Sequence, residues 1–343
     1  MPTLAAARLE DLTTRIFAAL GAPEADARWV ATLLVRANLR GHDSHGVIRV
    51  PQYVGAVREG QINPRPKMTV LQETSTTAVV DGDLAFGQVV ARRATEVAIE
   101  RAARHGLAAV GVRRAYHIGR LADYVELAAA RGFVGLMWTN AASAASVVPH
   151  GGIGRRLSTN PLAAAVPGPN GEIALSVDMA TSVVAEGKVR VKRNRKEPLP
   201  AGWAIDAEGR PVTDSGAFYG PPRAGLLPMA GHKGTALGLV VEVMGGILSG
   251  AGAIGPRPGP GINGCLILLV EIERFLPLAE FTRQVQELVT FVKSAEPASG
   301  GGGVMVPGEP EARSERERRA HGIPVEDETW RQIEVIAAEL EVG

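Results

Sequence analysis

Between residues 70 and 138 the chain alternates short β-prone apolar runs with stretches of helical periodicity, and this alternation constrains the fold more than any other feature. Residues 70–80, with their Thr-Ser-Thr-Thr-Ala-Val-Val run, predict paired strand, and Asp81-Gly82-Asp83 predicts the turn. Residues 87–105 carry apolar side chains at helical spacing and predict an amphipathic helix. A strand over 107–112, a helix over 121–131 and a strand over 134–138 follow. Strands alternating with helices imply an α/β core.

The flanks differ. Residues 9–20 and 24–39 predict two helices separated by Gly21-Ala22-Pro23, and a linker over 62–68 with two prolines ends this helical head. Beyond the alternating region the pattern is less regular. It predicts a strand over 173–179, a basic strand or loop over 189–195 and a turn-rich stretch over 198–219. An Ala/Gly/Leu helix over 235–249, a strand over 265–272 and a helix over 281–295 come next. A glycine loop over 298–303 leads to a tail, 311–340, of two helices broken near Pro324. No internal repeat is visible.

Composition narrows the function classes. At 343 residues the chain is long enough for two or three domains. A net charge of +1 provides no field toward nucleic acid or an anionic membrane, and aromatics at 4% argue against nucleic-acid binding and leave Ala, Val and Leu to fill the cores. The single cysteine, Cys265, excludes an internal disulfide and a multi-cysteine zinc site, and its apolar surroundings predict a small core residue. No metal site is expected. The N-terminus has no charged region followed by an apolar one, so no secretory signal is expected. The longest apolar stretch, 237–254, contains Glu242 and several glycines and predicts a buried helix rather than a membrane span. The expected setting is cytoplasmic, without a membrane partner.

The segment Asp43-Ser44-His45-Gly46-Val47-Ile48-Arg49, with Tyr53 one turn on, concentrates the chemistry. A histidine exchanges a proton near neutral pH, an arginine holds a carboxylate by two parallel hydrogen bonds, and a neighbouring serine can orient the imidazole. Together they suit a small carboxylic acid whose neighbouring carbon changes protonation state. Asp-Ser-His-Gly is equally good turn chemistry, and the segment is expected to open a loop. A strict glycine fingerprint for dinucleotides is absent. Gly82 to Gly87 lacks the middle glycine, so Gly82 is read as a hairpin turn and Gly87 as close helix packing. The Gly151-Gly152-Ile153-Gly154 run is read as a loop. Gly231-His232-Lys233-Gly234 is not a P-loop, but it precedes a helix whose N-terminus favours anions, and it serves equally as a plain helix-entry turn.

Eight short segments then fall in order from residue 40 to residue 309. They are Arg40-Gly41-His42-Asp43-Ser44-His45-Gly46, His117-Ile118-Gly119, Ser158-Thr159-Asn160-Pro161-Leu162 and Val177-Asp178-Met179-Ala180-Thr181-Ser182, then Gly187-Lys188-Val189, Pro200-Ala201-Gly202-Trp203-Ala204-Ile205-Asp206, Gly231-His232-Lys233-Gly234 and Pro307-Gly308-Glu309. With them the chain resembles the second type of malate/L-lactate dehydrogenase, a family of NAD(P)-dependent 2-hydroxy-acid oxidoreductases unrelated to the Rossmann-fold enzymes of those names. The family also holds sulfolactate, ureidoglycolate and diketogulonate oxidoreductases and reductases of cyclic imino acids.

The resemblance implies a mixed α/β (α+β) fold without a Rossmann domain. A helical substrate-side domain, residues 1–68 with 310–343, would pack on a cofactor-binding mixed sheet, residues 69–309, and the protein would form a homodimer. It further implies NAD or NADP as cofactor and a small carboxylic acid as substrate. His45 matches the proton donor, with Ser44 beside it, and His117 matches a second histidine that is acid/base in some members and a cofactor contact in others. Arg49 is read as the carboxylate clamp, with Tyr53 as a hydroxyl donor, and Thr159 as a substrate contact. Lys188 stands where the imino-acid reductases carry Asp. It would stabilise a developing alkoxide or a second carboxylate, tilting the chain toward 2-oxo/2-hydroxy-acid chemistry.

Asn140 and the strand end Asp178-Met179-Ala180 would meet the nicotinamide half of the cofactor, His232 and Lys233 its phosphates, and Pro307-Gly308-Glu309 its adenosine side. Three departures stand out. Ala141 replaces a serine that often reaches the cofactor, with Ser143 two residues on. Ile118 replaces a frequent aromatic. The glycine run 300–303 is long for the family and predicts a mobile cofactor loop. The mixed-charge cluster over 313–319 predicts a solvent-facing helix, with an arginine available to a 2′-phosphate. Two alternatives stay open: a reductase of a cyclic imino acid, and a non-catalytic relative.

Overall fold

The computed structural model describes residues 1–142, 145–255, 263–298 and 302–343, so Ser143 and the first half of the glycine run, residues 300 and 301, lie outside the described residues. The chain begins with β1 (Thr3–Leu4), α1 (Ala6–Ala19) and α2 (Glu24–Leu39). Two short 3-10 turns, Asp43–His45 and Val47–Arg49, lead into α3 (Val50–Arg58). The sheet region comprises β2 (Thr69–Glu73), β3 (Thr77–Ala85), α4 (Gly87–His105), β4 (Leu107–Ala115), α5 (Ala122–Ala129), β5 (Phe133–Asn140), β6 (Leu162–Pro167) and β7 (Ile173–Met179). Then come α6 (Glu186–Asn194), the short strands β8 (Ala204–Ile205) and β9 (Gly225–Leu226), and α7 (His232–Val241), which continues into a π-helical turn, Glu242–Ile247. Last are β10 (Asn263–Glu271), α8 (Leu278–Lys293), α9 (Glu309–His321), β11 (Ile323–Pro324) and α10 (Asp327–Glu339).

One seven-stranded sheet, ordered β2-β3-β4-β10-β5-β6-β7, organises the molecule. Its β3–β4 pair is parallel, because α4 crosses between them, and its other neighbours are antiparallel. This mixed order is not the doubly wound parallel sheet of a Rossmann domain. Late in sequence, β10 inserts at the centre, with Cys265 opposite Val112 on one side and Thr139 on the other. Its residues alternate across the sheet: Cys265, Ile267 and Leu269 join the core with α4 and α5. Burial of a side chain such as Ile267 or Leu269 contributes about 1.5–3 kcal/mol. Against the strands, the π-helical turn comes so close that a Cβ on Gly245 would lie 3.0 Å from the Trp138 carbonyl, which is why a glycine stands there. A second core, built on Leu9, Ile16, Phe17, Leu34, Val50 and Tyr53, takes Ile323 and Ile333 from the chain end. There β1 and β11 pair, tying both termini together.

Several expectations need correction. Asp81-Gly82-Asp83 is not the turn: it lies inside β3, and the β2–β3 turn is at Thr74, whose Oγ1 accepts the Thr76 and Thr77 amides. The two aspartates instead pair with Arg114 across the parallel strand, at 3.1 and 3.2 Å, and the strand bulges there with positive φ at Asp83 and Leu84. The basic run 189–195 is helix, not strand or loop. Glu186 in its first turn, basic residues in its last turn and the Glu186–Arg190 pair outweigh the Val-Arg-Val alternation. The catalytic-looking segment does not open a loop but runs through 3-10 turns into α3, whose Pro51 sits at the helix start. Strand β6, Leu-Ala-Ala-Ala-Val-Pro, has little intrinsic β preference and is held by partners on both sides. The predicted 235–249 helix begins at His232 and ends as the π-helical turn. Cys265 is a buried core residue, and burial pushes its thiol well above the ordinary range.

Candidate active site

The segment after α2 turns back on itself because Asn38, buried in the last turn of that helix, accepts the Val47 amide through Oδ1 (2.8 Å) and donates to Asp43 (2.7 Å). This places Ser44 and His45 on the wall of a cleft. Ser44 Oγ lies 3.0 Å from His45 Nδ1. Arg49 follows in the same segment, buried, with Nε donating to the Ser44 carbonyl (2.8 Å) and Nη1 to Gln52 Oε1 (2.7 Å). Gly187 closes the other side: a Cβ there would sit 2.5 Å from Ser44 Cβ and 3.2 Å from an Arg49 terminal nitrogen, so only glycine lets α6 approach.

His117 arrives from the end of β4. Its Nδ1 lies 2.7 Å from the Tyr53 hydroxyl, which also accepts from Gln88 Nε2 (2.8 Å). The two imidazoles stack, centroids 5.6 Å apart. Burial, then Arg49, holds the His45 imidazole well below its ordinary range, and the same two causes act in the same order on His117. Neither Nε2 has a hydrogen-bond partner among the described residues.

Two clefts meet here. The first is lined by His45, Arg49, Gln52, His117 and Thr159, together with Arg155, Glu186, Arg190 and Arg223. The second is lined by Ser44, His45, Thr159, Asp178, Met179, Ala180 and Lys188. His45 and Thr159 belong to both. The Thr159 hydroxyl has no partner among the described residues, and Lys188 has no ion pair among them. Arg49 has no carboxylate partner either, an unusual state for a buried guanidinium.

Other expected residues stand elsewhere. Tyr53 is fully buried behind His117, and its hydroxyl serves that histidine instead of the cleft. Asn140 is also fully buried: its amide donates to Glu242 (3.0 Å) and the Gly252 carbonyl (2.9 Å), and its oxygen accepts the Gly264 amide (3.1 Å), so the side chain is committed to packing the π-helical turn on β5. Asp178 accepts the Ala122 amide at 2.9 Å, while Met179 is exposed at the strand end. His232 and Lys233 lie exposed at the N-terminus of α7, just beyond Met229 of the second cleft. Pro307 accepts the Ser176 amide (3.1 Å), placing Pro307-Gly308-Glu309 beside β7. Glu309 caps the Val306 amide (3.0 Å) and pairs with Lys293.

Sequence reading missed Gln52, Gln88 and the arginines at 155, 190 and 223; the glutamines carry no signal of their own. Arg190 pairs with Glu186 at 3.2 Å, and Glu186 also accepts from the Tyr219 hydroxyl at 2.6 Å. Burial pushes the Glu186 carboxyl up, but Arg190 and Tyr219 outweigh it and hold the group below its ordinary range.

A family model described as malate/L-lactate dehydrogenase matches residues 4–334. The chain belongs to that family. An L-lactate dehydrogenase of Cupriavidus necator is 39% identical over 336 residues, covering 97% of this chain and 96% of the relative. Among solved structures, the sulfolactate dehydrogenase of Methanocaldococcus jannaschii superposes with a TM-score of 0.89 at 34% identity, over 100% of this chain and 98% of the other. The delta1-piperideine-2-carboxylate reductase of Pseudomonas syringae superposes with 0.83 at 28% identity, over 98% and 100%. This malate/L-lactate dehydrogenase family member is thus an oxidoreductase of 2-hydroxy acids, and no helix among its described residues is long and apolar enough to cross a membrane.

Proposed function

We propose that this protein transfers a hydride between NAD or NADP and a 2-hydroxy acid that carries a second anionic group, as malate does. The observation that carries this reading is Arg49, a buried guanidinium with no carboxylate partner among the described residues, open to the cleft that holds both histidines. A substrate carboxylate completes its fork. Four arginines, 49, 155, 190 and 223, line the first cleft against one acid, Glu186. That excess favours a dianion over lactate.

The donor set of the second cleft fits a nicotinamide dinucleotide. Its strand end, Asp178-Met179-Ala180, offers an exposed apolar face for the ring, and Lys188 and the α7 N-terminus with His232 and Lys233 offer charge for phosphates. When bound, the cofactor accepts or supplies the hydride.

His45 stands where the two clefts join, and we assign it the hydroxyl proton. In oxidation its neutral Nε2 takes that proton; in reduction the imidazolium returns it. Ser44 orients the ring through Nδ1. His117, held by Tyr53, donates to the substrate oxygen from the other side. Lys188 stabilises negative charge developing at that oxygen. Arg49 and Thr159 fix the acid so that its C2 faces the second cleft, a proximity effect.

The exposed apolar side chains of α7 and its π-helical turn, Leu239, Val240, Val243, Ile247 and Leu248, suit a homodimer contact. Light scattering after size exclusion tests this.

The reading as a whole is tested by following nicotinamide absorbance with oxaloacetate, pyruvate and a cyclic imino acid. Preference for oxaloacetate supports it. Turnover of the imine alone moves the protein to the reductases, and no turnover without cofactor binding makes it a non-catalytic relative.

A further inference from the structure

Helix α9 has no buried residue and the composition of a solvated helix, yet its inner side grips the segment that carries Ser44 and His45. Four contacts do this. Arg318 reaches Asp43 with both terminal nitrogens, at 2.5 and 3.0 Å, and also donates to the Asn38 carbonyl. Glu315 accepts from Arg40 at 2.9 Å. Ser314 donates to the Leu39 carbonyl at 3.0 Å. Glu311 accepts from His42 Nε2 at 3.2 Å.

The other end of the helix is anchored to the sheet. The Pro307 carbonyl accepts the Ser176 amide at 3.1 Å, Gly308 takes φ +99° against Ser176, and Glu309 closes on the Val306 amide. From Glu309 to Arg318 is nine residues, about 13 Å of helix. The helix thus joins the 307–309 turn beside β7 to the turn that presents His45. Asp43 lies at the junction: Asn38 donates to it, and the same Asn38 holds the Val47 amide.

We infer that α9 is a strap holding the Ser44–His45 turn at the cleft, and that Arg318, forked onto Asp43, is its positioning residue. The inference rests on the reading of His45 as the proton-transfer group. Arg318 touches neither cleft. Its effect runs through Asp43 and Asn38 to the turn, and so to the depth at which His45 is buried. The charged and titratable groups facing His45 are Arg49 and His42 from its own segment, Arg120 from the loop before α5, Lys188 from α6 and His117 from just after β4, and the clefts that His45 lines also hold Asp178 of β7, Glu186 and Arg190 of α6, Arg155 and Arg223. Release of the strap exposes the part-buried imidazole further to water, which favours its protonated form.

The test uses the full chain with Arg318→Met, Arg318→Lys, Asp43→Asn and, as a control on the solvent side of α9, Glu317→Gln. Each variant is first checked by thermal unfolding. The imidazole proton of His45, assigned by its loss in His45→Gln, is then titrated by NMR, a readout that needs no turnover. The pH profile and the split between kcat and KM are measured alongside.

In Arg318→Met and Asp43→Asn we expect the His45 midpoint to rise toward the ordinary imidazole value of about 6.5. We expect kcat to fall about tenfold or more with cofactor KM nearly unchanged, and the acid limb to move to higher pH. Arg318→Lys should be intermediate, since an ammonium keeps the charge and loses the fork, and Glu317→Gln should match the parent. A folded Arg318→Met or Asp43→Asn with an unmoved His45 midpoint overturns the strap, whatever the activity. If Arg318→Met does not fold, Asp43→Asn and Arg318→Lys decide it. Loss of activity that tracks melting alone, with an unshifted pH limb, also overturns it. A parent protein inert toward every 2-oxo acid contradicts the functional reading instead, and the titration still decides the strap.

Discussion

His45 and His117 lie ring over ring, centroids 5.6 Å apart and planes 19° apart, each bound to a hydroxyl through Nδ1 and each leaving Nε2 to the cleft. Two imidazolium ions at that separation beside Arg49 repel, and the site is built for the neutral forms.

The first prediction is a pH dependence. Both folded midpoints lie below the unfolded imidazole value of about 6.5, so below that pH the unfolded chain binds more protons. The stability held by these neutral rings is present above about pH 6.5 and is lost as pH falls. Urea midpoints at about pH 7.5 and about pH 5.5 should differ more in the parent than in His45→Gln/His117→Gln. The acid limb of kcat/KM for hydroxy-acid oxidation should lie below about pH 6.5. Equal pH slopes in parent and double variant contradict the assignment.

Arg49→Lys should lower kcat/KM for the 2-oxo acid by about tenfold to a hundredfold, since a charge-assisted hydrogen bond is worth ~1.5–3 kcal/mol. Arg49→Ala should lose more. Cofactor affinity, measured by quenching or fluorescence, should stay within about threefold, because Arg49 lines only the first cleft.

Tyr53→Phe removes the hydroxyl shared by His117 and Gln88. Leaving the buried Gln88 amide without its acceptor should cost ~1–3 kcal/mol by chemical unfolding. A second change, Gln88→Leu, should recover much of that stability and none of the activity, since replacing both partners by apolar groups is nearly neutral. Activity that returns with stability would show that Tyr53 only packs.

Gly187→Ala places a methyl group against Ser44 and Arg49. It should reduce kcat by about tenfold through displacement of the Ser44–His45 pair, with a smaller effect on cofactor KM. An unchanged kcat would mean that α6 moves freely relative to the cleft.

How far the sequence carried the fold depends on the source of each element's order. Residues 87–105 and 24–39 fold as their periodicity predicts, because the apolar stripe alone decides the buried face. Asp81-Gly82-Asp83 misled because the partner of both carboxylates, Arg114, is 31 and 33 residues away, invisible to a local reading. The Ala-rich β6 exists only because β5 and β7 flank it. For the site, Ser44, His45, Arg49 and His117 were legible as a motif, and the structure gathers them where the two clefts meet, Arg49 and His117 on the first, Ser44 on the second and His45 on both. The amide of Asn140 and the hydroxyl of Tyr53 were legible as polar groups but not as groups already bound, since their partners, Glu242 and Gln88, are distant in sequence. The charged run after residue 312 reads as a solvated helix on composition alone, and only the fold reveals that one side of it holds the Ser44–His45 turn.

The most direct test follows nicotinamide absorbance at neutral pH with NADH or NADPH and oxaloacetate, in the parent, His45→Ala and Arg49→Ala. Turnover is expected in the parent, with a fall of about a hundredfold or more in both variants and unchanged cofactor binding. Full activity in His45→Ala, or in Arg49→Ala, would contradict the proposed function.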